Sequence, residues 1–210
     1  MKPITLSGAA FVVLGILAAH AQTPPKLVPL DAAGLITYYI AEGIPAFGSR
    51  AGDVELATWA FEEWERHAGG VIRLEPITDE GMALIRLYWH RENRRQYGQM
   101  TSRVGSLHRR QAILYVRPDA HSKHETLGPA AVKDPLLRDT IVYLTCLHEI
   151  GHALGLGHTA AENDVMRTEG SDANFDRYRR TLKSRATLAS VSWLSDADAL
   201  RLKELYKKER

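Results

Sequence analysis

An α+β fold is predicted by three features of this 210-residue chain. Its first ninety residues read strand, helix, strand, strand. A later helical stretch carries no charge from Ile141 to Leu147, and such a stretch belongs inside a core. An amphipathic helix closes the chain. The length suits one domain, and 45% hydrophobic with 25% charged residues is an ordinary globular composition. A net charge of +2 selects no class of partner, and the single cysteine excludes an internal disulfide.

The elements follow in order. Residues 1–21 read as a secretory signal peptide: Lys2, an apolar run from Ile4 to Ala19, then Ala19-His20-Ala21 as a small-x-small cleavage site. The alternative, an uncleaved anchor, meets a run short of the about 20 residues that span a bilayer. Export to the periplasm or outside the cell is expected, in bacterial style, with Gln22 as the mature N-terminus and no stable membrane insertion after cleavage. Residues 22–34 form an extended leader containing Pro24, Pro25 and Pro29. Leu35 to Ile40 is β-branched and aromatic and reads as a strand. Asp53 is read as the cap of a helix to about His67, with Val54, Ala57, Phe61 and Trp64 near one face, stopped by Gly69-Gly70. Val71–Pro76 and Ala83–Trp89 read as strands.

A basic stretch follows, with Arg91, Arg94, Arg95, Arg103, Arg109 and Arg110. Tyr97 is its only aromatic, so no nucleic-acid partner is expected. Gly98–Val104 is a candidate strand, and Ala112–Val116 another. Asp134-Pro135 opens the central helix as N-cap and first helical residue. Cys146 lies about 200° round this helix from His148 and reads as a core thiol. Asp172–Arg185 is charged and reads as a loop. Ser195-Asp196-Ala197-Asp198 is a capping box with Asp in place of Glu, and Leu202, Leu205 and Tyr206 mark the final helix.

The central helix runs into His148-Glu149-Ile150-Gly151-His152-Ala153-Leu154-Gly155-Leu156-Gly157-His158, or H-E-x-x-H-x-x-G-x-x-H. His148 and His152, four apart, share one helix face and can reach one metal ion. On an unbroken helix His158 would lie roughly 15 Å from His148, so the chain must fold back, and Gly155 stands where a positive φ is wanted. Three histidine ligands leave zinc an open position for a water, the mark of a catalytic site. Glu149 stands beside the His148–His152 pair and can hold a water on the metal.

Met166 follows in Asn163-Asp164-Val165-Met166-Arg167. With it, the pattern resembles the metzincin signature, and the chain is most similar to the matrixins. The resemblance implies a secreted zinc endopeptidase with one catalytic Zn²⁺ on His148, His152 and His158. Glu149 would be the general base, Gly155 the helix break and Met166 an apolar floor. It also implies a twisted, mixed, mostly parallel sheet with two long helices and a zinc cleft. The N-terminal part would cover 35–157 and a small C-terminal part, ending in a helix, 158–210. The strand bordering the cleft, here Gly98–Val104, would pair with a protein or peptide substrate. His121-Ser122-Lys123-His124-Glu125, His90 and His108 do not reproduce the family's structural zinc site, and no calcium site is expected. The leader is too short for a cysteine-bearing propeptide, so a cysteine switch is not expected. Met166-Arg167-Thr168-Glu169 lacks the family's Pro-x-Tyr, so the S1′ wall differs; Thr159 replaces the usual serine. Two other readings stand beside the protease: a catalytically idle peptide-binding protein, and a zinc hydrolase of a non-peptide amide.

Overall fold

The computed structural model describes residues 28–31, 33–90, 97–105, 109–119, 127–167 and 172–207. The expectations for residues 1–21, most of the leader, Arg91, Arg94, Arg95, His108, His121–Glu125, Thr168 and Glu169 lie outside these.

Five strands form one sheet: β1 (Leu35–Ile40), β2 (Arg73–Pro76), β3 (Ile85–Trp89), β4 (Gly98–Val104) and β5 (Arg110–Val116). Their order is β2-β1-β3-β5-β4. β1 pairs in parallel with β2 and β3, and β3 with β5. β4 alone is antiparallel, running Gly98 opposite Val116 to Val104 opposite Arg110 at the sheet edge. Ile36, Leu74, Ile85, Leu87, Leu114 and Val116 are buried, as strands covered by helices require.

Two long helices pack together: α1 (Asp53–His67) and α3 (Pro135–Ala153), preceded by a short α2 (Leu127–Lys133) that sequence patterning did not anticipate. α1 buries Leu56, Ala57, Ala60, Phe61 and Trp64. The Trp64 indole N–H donates to the Leu147 carbonyl at 2.8 Å, fixing α1 against the turn that leads into His148. The charge-free stretch of α3 is buried throughout, and Cys146 lies in the core as expected. Asp134 accepts from the Leu136 and Leu137 N–H groups at 3.0 and 3.1 Å with Pro135 at the first turn, so the predicted cap is present.

Three expectations need correction. Asp53 does not cap α1: Gly52 occupies that position. The Asp53 carboxylate is instead paired with Arg138 inside the protein, the side chains 1% and 3% exposed. Asp172–Thr181 is not a loop but a helix, α4, because Phe175 is buried against Tyr97 and Tyr178 packs on Trp193. After the short α5 (Thr187–Ser190), Ser195 caps the final helix α6 (Asp196–Tyr206) by accepting from the Asp198 N–H at 3.0 Å. The return half of the capping box is not made: the Asp198 carboxylate accepts from the Val165 N–H at 2.8 Å.

Candidate metal centre

The site is built at the C-terminal end of α3. His148 and His152 leave the helix one turn apart, and Gly155, at φ 106°, ends it. The Leu156 N–H returns to the Gly151 carbonyl at 3.0 Å, and the Tyr206 hydroxyl donates to the Leu154 carbonyl at 2.8 Å. A side chain at 155 would be strained by that φ and would meet the Val28 carbonyl. The turn brings His158 back, its Nε2 3.2 Å from that of His148 and 3.0 Å from that of His152.

Each helical imidazole is oriented from behind. His148 Nδ1 lies 2.7 Å from the Val165 carbonyl and His152 Nδ1 2.9 Å from the Leu156 carbonyl. A carbonyl only accepts, so both Nδ1 atoms carry the proton and both Nε2 atoms present lone pairs inward. Burial, partly offset by the Val165 carbonyl and reinforced by the neighbouring imidazoles, lowers the His148 pKa to about 4. Burial also lowers that of His152. Neutral imidazole is the ligand form.

The donor set fits zinc. Zn–N bonds of about 2.0–2.1 Å in a tetrahedron place ligand nitrogens about 3.3 Å apart, close to the spacings here. Converging lone pairs without a cation between them repel, so a cation is what this arrangement suits. Among the described residues these three histidines are the cluster that could hold a metal.

Glu149 is buried beside the triad, 7% exposed. Burial raises its pKa to about 7, against the lowering effect of the Met100 backbone N–H that faces it. β4 crosses close above: a Cβ at Gly98 would come within 2.6 Å of Thr145 Cγ2, 2.7 Å of Glu149 Cγ and 2.9 Å of Glu149 Oε1. Met166 is fully buried, its sulfur against Gly151, which lies in sequence between the two helical histidines, and Trp64 closes the same contact. Gly155 thus lies at the helix break, and Met166 lies in the core against Gly151.

Sequence reasoning missed Gly98, Gly151, Asp164 and Arg201. Gly151 falls on an x of the motif. In the sequence Asp198 reads only as a cap partner. The signal that was present is the i, i+3, i+6 spacing of Ser195, Asp198 and Arg201, a polar row on a helix that buries Leu202 and Tyr206.

A mixed sheet backed by a helix that presents two of three converging imidazoles defines an α+β domain with a candidate metal site. Residues 32–179 match the matrixin family, and the chain belongs to that family. Matrixins are zinc metalloproteases, and the family implies a catalytic zinc. Over 75 residues the chain is 35% identical to Matrix metalloproteinase-25 of Homo sapiens. That stretch is 35% of this chain and 13% of the human protein, so the chain matches only a small part of its relative. No helix among the described residues is long and apolar enough to cross a membrane.

Proposed function

We propose that this protein is an exported zinc endopeptidase in which His148, His152 and His158 hold one zinc ion and Glu149 moves the proton. The observation that carries the reading is the convergence of three Nε2 atoms at 3.0 and 3.2 Å, two of them with their opposite nitrogens bound to carbonyls. A bound zinc supplies Lewis-acid polarisation of a water and of the scissile carbonyl. Glu149 accepts the water's proton as the oxygen attacks the carbonyl carbon. It then delivers that proton to the amide nitrogen as the C–N bond breaks, leaving a free acid and amine. Glu149 ends in the charge state in which it began.

The substrate is read as a peptide in extended form, added to the sheet at the outer edge of β4. Support comes from the place of β4 as last strand in the sheet and from Gly98, which brings that edge against Glu149. The organisation proposed with this function is a signal peptide at 1–21, a leader at 22–34, an N-terminal part at 35–157 and a C-terminal part at 158–210. The working compartment is the periplasm or the exterior.

The test is cleavage of a mixed peptide pool by the full chain, with zinc measured in the same sample. Glu149→Ala keeps its zinc and loses about 10²- to 10⁴-fold in rate, the usual worth of a positioned general base; a chelator abolishes cleavage by the parent. Parent-rate cleavage by Glu149→Ala would remove Glu149 from the mechanism. Zinc uptake without cleavage of any peptide would leave the idle binding protein or the non-peptide hydrolase.

A further inference from the structure

The third histidine is anchored differently from the other two. Among the described residues no carbonyl accepts from His158 Nδ1, and the imidazole is exposed. It lies in an irregular segment, beyond the end of α3. Its position is set through its neighbours. Arg201 Nη1, on α6, donates to the Gly157 carbonyl at 3.3 Å. The Thr159 hydroxyl donates to Asp164 Oδ2 at 2.9 Å, and the Thr159 N–H to the Met166 carbonyl at 2.8 Å.

The groups behind these contacts form one cluster. Asp164 and Asp198 are buried, their side chains 5% and 0% exposed, and Arg201 stands between them, paired with Asp198 and 3.6 Å from Asp164. Asp164 Oδ1 accepts from the Ser195 hydroxyl at 2.6 Å. Asp198 Oδ2 accepts from Val165 N–H, and the carbonyl of that residue takes His148 Nδ1–H. One guanidinium therefore lies between two buried carboxylates, one tied to the residue after His158 and the other to the residue behind His148. Burying two carboxylates beside a partly exposed guanidinium costs more desolvation than an apolar contact of the same size, so stability alone does not call for them. They give the segment a single register against α6.

We propose that Arg201, through Asp164 and the Gly157 carbonyl, is a positioning residue for His158. It keeps the third Nε2 in register with the other two. The inference rests on the reading of the triad as a zinc site. Without Arg201 the two carboxylates repel, the 157–159 segment is released, and the triad loses its third member before its first two.

The experiment measures zinc affinity of the full chain by competition with a chromophoric chelator, together with the absorption spectrum of the cobalt-substituted protein. Arg201→Met lowers affinity about 10- to 100-fold, the usual worth of groups that orient metal ligands. The cobalt spectrum shifts with it, and Arg201→Lys recovers most of the loss. Thr159→Val, a gentler change, acts in the same direction. Leu202→Val, a core change on the same helix outside the cluster, is the control for general loosening and keeps the parent spectrum. Parent affinity and spectrum in a folded Arg201→Met would overturn the proposal, as would an equal loss in Leu202→Val. Should Arg201→Met not fold, unchanged affinity in both Arg201→Lys and Thr159→Val overturns it. A parent chain that takes up no zinc would instead refute the reading of the site itself.

Discussion

At the scale of single residues, two glycines set how closely other parts approach α3. Gly151 lets the Met166 sulfur and the Trp64 ring reach the helix backbone between the two histidines. Gly98 lets β4 lie on Glu149 and Thr145. The histidines, the glutamate and Gly155 were legible in the sequence because their spacing is a statement about helix geometry. These two glycines were not, because their necessity comes from a neighbour distant in sequence. Gly98 yields a prediction. Alanine is no worse than glycine in a strand backbone, so Gly98→Ala should fold normally. Its methyl group would displace the Glu149 carboxylate, and a misplacement of about 1 Å can cost about 10²-fold in rate. The expected outcome is kcat reduced about 100-fold with zinc content unchanged. Parent kcat in Gly98→Ala would show that Glu149 has room the geometry denies it.

At the scale of elements, the strands and the two long helices were legible, because β-branched runs, glycine stops and the Asp134-Pro135 start are local signals. α4 was hidden for a physical reason. From Asp172 to Thr181 only Phe175 and Tyr178 among the large side chains are apolar, too narrow a stripe to mark a helix. Those two rings find Tyr97 and Trp193, and tertiary packing makes the helix that local composition does not. Sheet order was legible only through family resemblance, since strand periodicity carries no information about neighbours. The start of α3 gives the prediction at this scale. Burial alone would raise the Asp134 pKa, but the Leu137 N–H, Arg179 and the Leu136 N–H together bring it below the usual carboxylate value. A carboxyl depressed in the folded state contributes stability above its unfolded pKa of about 3.9 and loses it as pH falls through the folded value. Asp134→Ala should therefore cost about 1 kcal/mol at neutral pH. The gap between the two unfolding curves should narrow as pH falls below about 3.9 and close only below the lower, folded value. Urea unfolding at pH 7 and at a series of values below pH 4 tests this; a gap that does not narrow with falling pH would show the loss comes from something other than the charged cap.

At the scale of the whole molecule, the three ligands come from two kinds of support. His148 and His152 stand on a helix tied to the rest of the core by Trp64 and by the buried Arg138–Asp53 pair, while His158 stands on an irregular segment held by α6. A zinc ion bound by all three joins the two supports and is present only in the folded state, so binding adds to folding stability. With free zinc at about 100 times its dissociation constant, the gain is about 2.7 kcal/mol. A domain of this size shifts by about 2–4 °C per kcal/mol, so chelation should lower Tm by about 5–11 °C. His158→Ala separates this from nonspecific effects of the chelator. Removing the ligand that bridges to α6 should weaken zinc binding sharply and make Tm almost insensitive to the chelator. It should leave the metal-free Tm near that of the parent, because the His158 side chain is exposed. Scanning calorimetry on the parent and on His158→Ala, each with and without chelator, gives four curves. If the parent's Tm does not move on chelation, or if His158→Ala falls as far as the parent, the triad does not join the two parts through a metal.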